Sequence, residues 1–238
     1  MKVAVCMSGH MRTYKHTKES WDKYVFDKYA PDVFIHSWDV MNWNNTIPVD
    51  VDDVRETFSP TKLVIENYDL AKAEWELIAT KIKTYQSQLP EWNYFNVFND
   101  ISAFRKVYLS HALIDSTYDI VIQGRPDLLL QDDVVTIARN ALSIDDTTFV
   151  VRAPHPSDVA RDGHHPPSIA PELCIGRQGT INHLSQIYPN LDMLLHEAKT
   201  TNTPRIVLNP NLVVYHWMLR GGFDYTHLPS FDNFSILR

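Results

Sequence analysis

The chain has 238 residues, with 22 Lys and Arg against 29 Asp and Glu and a formal net charge of −7. Hydrophobic residues at 44% and charged residues at 21% exclude a disordered chain and supply a full core for one large domain, residues 1–238. An acidic balance without a basic run excludes nucleic-acid binding through backbone charge, but a local cluster of Arg and Lys can still hold a phosphate.

Lys2 to Met7 reads as a buried first strand, too short and without the cleavage site of a signal peptide. Thr17 to Tyr29 has helical spacing, and Asp32 to His36 is a second strand. Asp53 to Phe58 is a short helix, with Asp52 or Asp53 as its cap, and Lys62 to Glu66 a third strand. Leu70 to Gln88 is a long helix, followed by an aromatic loop with Trp92, Tyr94, Phe95 and Phe98, and then by a helix from Asn99 to Ser116. Tyr118 to Gln123 is an apolar strand of the kind covered on both faces, and Leu128 to Leu130 resumes after a break. Thr148 to Arg152 is a further strand, and Ala153 to Pro171 a proline-rich loop with His155, His164 and His165. Thr180 to Tyr188, Leu191 to Thr200 and Asn211 to Leu219 are helical, the last stopped by Gly221 and Gly222.

This alternation predicts a three-layer α/β domain with a mostly parallel central sheet. Right-handed crossovers place the loops after the strands at one edge, where ligands bind: Ser8 to Thr13, His36 to Trp43 and Gly124 to Asp127. No run approaches the ~18–20 apolar residues of a membrane helix. With only Cys6 and Cys174, which make neither a disulfide framework nor a zinc cluster, the chain is expected in the reducing cytoplasm.

In the first loop, Gly9 permits close approach of backbone amides to a phosphate, and Arg12 adds a bidentate donor. A strand-to-helix turn with a surface Arg accounts for the same residues. Cys6 and Arg12 are also spaced as Cys-x5-Arg, similar to the phosphate loop of cysteine-dependent phosphatases, with Cys6 as nucleophile; the Asp-Pro general acid of that pattern is missing. In the second loop, His36 and Trp38 are candidates to stack on a base or sugar, or to close the core. In the third, Asp127 between two apolar strand pieces is placed to hold Mn2+ or Mg2+ bridging a diphosphate, with Arg125 on the same side; an Arg–Asp turn pair is the alternative.

Taken in order, Val5 to Arg12, Asp32 to Asp39 and Tyr118 to Leu128 resemble a group of GT-A-fold glycosyltransferase-like proteins of capsule and lipopolysaccharide synthesis, also found in large viruses. Glu172 to Gly176 and Asn209 to Asn211 resemble later segments of that group, so the likeness runs from about residue 2 to 223. The resemblance implies a nucleoside-diphosphate sugar donor, a divalent metal and transfer to a glycan hydroxyl. It places Ser8, Gly9 and Arg12 on the nucleotide-contacting turn and Asp127 on the last acidic position of an Asp-x-Asp metal motif. Arg125 stands where that motif has its first Asp, and a transferase fold that binds without turnover is therefore a further reading. The literal Asp50-Val51-Asp52 follows no apolar strand and fits a helix start better. Glu172 is the candidate base for an inverting transfer, with a surface salt bridge as the alternative, and His216 a candidate metal ligand or packing residue. His155, His164 and His165 read as solvated, the aromatic loop as an acceptor platform or a core plug, and Lys106 with Arg105 as phosphate contacts or a solvated face.

Overall fold

In the computed structural model, which describes residues 1–41, 47–89, 96–142, 147–151, 172–227 and 234–236, the strand residues alternate between two cores. In β1 (Val3–Gly9), Ala4 and Cys6 face one core while Val3, Val5 and Met7 face the other. In β2 (Asp32–Trp38), Phe34 and Trp38 oppose Val33 and Ile35. Period-two alternation with both faces apolar is what a sheet buried between helices requires.

Helix α1 (Tyr14–Trp21) runs into a π-helical stretch, Asp22–Phe26, and a last turn, Asp27–Tyr29, that ends at Ala30 in the left-handed region (φ 41°). After β2 come α2 (Val51–Phe58), β3 (Lys62–Glu66), α3 (Tyr68–Gln86) and α4 (Val97–His111). Next are β4 (Ile120–Gly124), β5 (Leu128–Leu130), α5 (Val134–Leu142), β6 (Thr148–Val151) and β7 (Cys174–Gly176). The chain continues with α6 (Gln178–Ser185), α7 (Leu191–Thr200), α8 (Arg205–Leu208), α9 (Pro210–Arg220), β8 (Asp224–His227) and β9 (Phe234–Ile236).

The sheet order is β3-β2-β1-β4-β7-β6-β8. The pairings of β1 with β2 and β4, of β2 with β3 and of β6 with β8 are parallel; β7 runs antiparallel to β4 and β6. The result is a mixed α/β fold with a mostly parallel seven-stranded sheet, as the strand–helix alternation predicts. Tyr14, Trp21, Val54, Phe58 and Val134 bring α1, α2 and α5 onto one face. Trp75, Ile101, Phe104, Leu184 and Trp217 bring α3, α4, α6 and α9 onto the other. Each such apolar side chain, once fully buried, contributes on the order of 1.5–3 kcal/mol.

The helix starts are set by side-chain caps. Asp50, Asn67, Asn96 and Asn209 each accept backbone N–H bonds at the first turns of α2, α3, α4 and α9, each worth about 1 kcal/mol. Asp50, rather than Asp52 or Asp53, caps α2. Several elements differ from the sequence expectation. β1 and β2 each run two residues further, because parallel pairing continues through Ser8–His36 and Gly9–Ser37. β5 does not continue the central sheet; it pairs antiparallel with β9. The short strand β7 was not expected, since three residues carry no period of their own. Among the described residues no helix is long and apolar enough to cross a membrane.

Candidate active site

Strand β1 has parallel neighbours on both sides, β2 and β4: the chain runs outward through β2 and β3 and then crosses back to the other side of β1 to form β4. A crevice opens at such a switch point, beyond the carboxyl ends of the strands. Here it is a cavity of about 250 Å3. Its walls come from the end of β1 (Ser8, Gly9), the turn after it (His10, Arg12), Arg125 after β4, the start of α4 (Asn99, Asp100), Glu172 before β7, and Pro210 and Asn211 at the start of α9. Gly9 adopts φ 118°, a conformation open to glycine and strained for other residues, and its carbonyl accepts from Ser37 Oγ at 2.7 Å. Ser8 is buried, and its Oγ accepts from Gln123 Nε2 at 2.8 Å, so it shapes the floor more than it offers a free hydroxyl.

The cationic wall is built by latching α1 onto the turn between β4 and β5. Thr17 Oγ1 donates to Pro126 O at 2.5 Å, Trp21 Nε1 to Leu128 O at 2.9 Å, and Leu130 N to Ser20 Oγ at 3.0 Å. Gly124 lets the turn close, because a Cβ there would lie 2.9 Å from Trp21 Cη2. This latch carries Arg12, just before α1, onto the Arg125–Asp127 turn. Arg125 donates from Nε to Asp127 Oδ1 and from Nη2 to Oδ2, both at 2.8 Å; Arg12 Nη2 donates to Oδ2 at 2.5 Å. Asp127 is fully buried, whereas the side chains of Arg12 and Arg125 are 20% and 30% exposed. Burial alone would raise the Asp127 carboxyl; the Arg125 hydrogen bonds and the two guanidinium charges outweigh it and hold the group below the usual carboxylate range. Asp127 is thus the anchor beneath two arginines that line the cavity.

Asp100 and Glu172 form an acidic wall. Burial, and then the charge of Glu172, push Asp100 up to about 7. Glu172 Oε2 is buried without a hydrogen-bond partner among the described residues, and its charge also acts on Arg125. Nothing in the sequence marked Asp100: it sits in the first turn of α4, where an acidic residue is ordinary helix-dipole complement.

The third wall is aromatic. Tyr68 and His10 are half-buried with ring centroids 6.3 Å apart, and Tyr68 meets Trp38 edge-on at 5.1 Å. His10 donates to Val40 O, and burial followed by the nearby arginines lowers its pKa despite that bond. Tyr68 was not expected in the wall, since it opens a helix distant in sequence, while His10 falls inside the Ser8–Thr13 loop expected at this edge but without a role of its own. Trp38 itself is 1% exposed, with Lys106 Nζ 3.3 Å from its ring centroid, so that face is taken. Lys106 lines the cavity, but its ammonium is committed inward: to Glu66 at 2.7 Å, His36 Nδ1 at 3.0 Å and Ser37 O at 3.2 Å. Burial lowers it to about 7 against the pull of Glu66. His36 lies behind the wall, lowered to about 3 by burial and by Lys106, and remains neutral there. Arg105 points away to Glu66 and Glu74. His36, Trp38 and Lys106 therefore form supporting structure at the cavity and not a free binding face, because each polar atom that reached the core had to find a buried partner.

Two sequence expectations are corrected. Cys6 is fully buried in β1, within the hydrophobic core, and burial pushes its thiol far up, so no thiolate nucleophile forms. His216 does not line the cavity; its position on α9, more than a turn past Asn211, leaves it half-buried against Tyr215. His155, His164, His165, Trp92, Tyr94 and Phe95 lie outside the described residues, while Phe98 packs on Trp75 in α4's first turn.

The residues at Asp127 do not fit a divalent ion. Both carboxylate oxygens accept from guanidinium groups, the side chain has no exposed surface, and the position two residues earlier is Arg125. Among the described residues no group of three or more His, Cys, Asp or Glu is arranged to hold a metal ion.

No protein-family model and no curated protein matches the sequence. Among solved structures, the chain is similar to apo mouse xyloside xylosyltransferase 1, with a TM-score of 0.49 and 8% identity, over 95% of this chain and 84% of that one. It is also similar to the galactosyltransferase LgtC solved with donor and acceptor sugar analogues, with a TM-score of 0.48 and 8% identity, over 95% and 73% of the two chains. Likenesses of this size carry no functional conclusion.

Proposed function

We propose that the chain is a single-domain, GT-A-type glycosyltransferase that moves a sugar from a nucleoside-diphosphate donor to a glycan hydroxyl, in polysaccharide synthesis. One observation carries this reading: Arg12 and Arg125, held by Asp127, line one cavity with Asp100 and Glu172 at the switch point of the sheet. The ordered motifs of the sequence support it as well.

In this reading the guanidinium pair takes the diphosphate, and the Tyr68–His10 wall takes the flat face of the base or sugar. When the bond from the anomeric carbon to the diphosphate breaks, its electron pair passes to the departing phosphate oxygen. The fixed charges of Arg12 and Arg125 stabilise that oxygen without reorganisation. In an inverting transfer, Asp100 or Glu172 accepts the proton of the attacking hydroxyl; a group poised at about 7, as Asp100 is, suits that task at neutral pH. The phosphatase reading is not carried forward, because it needs Cys6 as a thiolate.

A thermal-shift panel of UDP-, GDP-, CMP- and dTDP-sugars tests the proposal. A bound donor at 100 times its Kd adds about 2.7 kcal/mol of apparent stability. The expected result is one donor family that raises Tm and, with a glycan acceptor, releases the free nucleotide. No shift with any donor at millimolar concentration refutes the donor site. Saturable binding with no product under any acceptor identifies a binding module in place of an enzyme.

A further inference from the structure

We infer that this site holds the donor's diphosphate without a divalent ion, the clamped pair Arg12 and Arg125 supplying the positive charge. The inference rests on the reading of the cavity as a nucleoside-diphosphate site, and deepens it.

Three features of the side chains argue for it. First, the carboxylate that would ligate an ion is already spent. Asp127 accepts three guanidinium N–H groups and has no exposed surface. For a cation to reach it, both arginines would have to leave, and two guanidinium charges would then stand beside the ion. Second, the trio itself is a net cation, two guanidinium groups against one carboxylate that they hold ionised, with Glu172 a further carboxylate lining the same cavity. A surplus positive charge in a partly desolvated wall is what a diphosphate requires. Third, the donors are not exhausted. Each guanidinium carries five N–H groups in a planar fork that matches phosphate oxygens, and only three of those groups reach Asp127. Arg12 Nε is buried with no partner at all among the described residues. Buried donors are ordinarily satisfied, so this one marks a place where an acceptor is missing from the wall.

Asp127 therefore acts as a positioning residue. It fixes the two planes against each other, so that little side-chain entropy is lost when the anion arrives. A lysine at either position would keep the charge but lose the fork.

Isothermal titration of the wild-type protein with UDP, GDP, CDP, dTDP and inorganic pyrophosphate, in excess EDTA and again with Mn2+, tests the inference. At least one nucleoside diphosphate should bind in EDTA, with a Kd that Mn2+ changes by less than about threefold, well under the tenfold that 1.4 kcal/mol represents. Arg125→Gln should weaken binding in EDTA by about tenfold or more, and Arg125→Lys, which keeps the charge, by a smaller factor. Binding that is measurable only with Mn2+ overturns the inference and leaves the donor site standing. Binding under neither condition overturns the donor site itself. Unchanged affinity in EDTA for a folded Arg125→Gln protein places the diphosphate elsewhere and overturns the inference as well.

Discussion

Replacing Asp127 by asparagine removes one negative charge from beneath two guanidinium groups and leaves the shape nearly unchanged. Breaking a buried ion pair from one side costs about 3–5 kcal/mol when the remaining charge is sealed from water. Arg12 and Arg125 keep side-chain exposures of 20% and 30%, so water recovers part of that loss. The expected cost is about 2–4 kcal/mol, which for a chain of this length lowers Tm by roughly 4–15 °C. Thermal melts at neutral pH in EDTA measure it. The pH dependence supplies a second check. A carboxyl whose folded pKa is depressed contributes stability that is present above its unfolded pKa and is lost as pH falls through its folded pKa. The gap between wild type and Asp127→Asn should therefore narrow as the pH drops below about 4, the ordinary aspartate value. A Tm within about 1 °C of wild type at neutral pH, or a gap that widens on acidification, would refute the anchor role. Equal melts in EDTA are what a residue serving only as a metal ligand would give.

Asp100 gives the opposite pH signature. Its carboxyl is raised from 3.8 to about 7, so the folded state binds its proton more tightly than the unfolded chain does. Its contribution is fully present below pH 3.8 and is lost as pH rises through about 7. Asp100→Asn escapes that loss, and should melt higher than wild type at pH 8 by an amount worth up to about 4 kcal/mol, at 1.36 kcal/mol per pH unit, while matching it near pH 4. Parallel melting curves across that range would count against the buried pair with Glu172. Gly124→Ala places a Cβ 2.9 Å from Trp21 Cη2, on an indole already fixed by its bond to Leu128 O. Overpacking of this kind costs about 1–3 kcal/mol, and denaturant melts should show it as a lower midpoint with an unchanged slope.

The strands and most helices were legible in the sequence because their signals are local. Val3 to Met7 is a continuous apolar run, and Leu191–Thr200 keeps its helical period. The positions of Gly9, Arg12 and Arg125 at one sheet edge came from the rule that parallel crossovers gather loops there, whereas Glu172, before an antiparallel strand, lay outside that rule. What those residues do to each other was not legible. A carboxylate at position 127 reads the same in sequence whether it faces a cation or two arginines. The latch of Thr17, Ser20 and Trp21 onto the β4–β5 turn, joined across about a hundred residues, decides for the arginines. The burial of Cys6, the inward turn of Lys106 toward Glu66, and the pairing of Asp100 with Glu172 were likewise decided by packing. The charge state and reach of a side chain depend on which distant groups exclude water from it, and one-dimensional order does not contain that information.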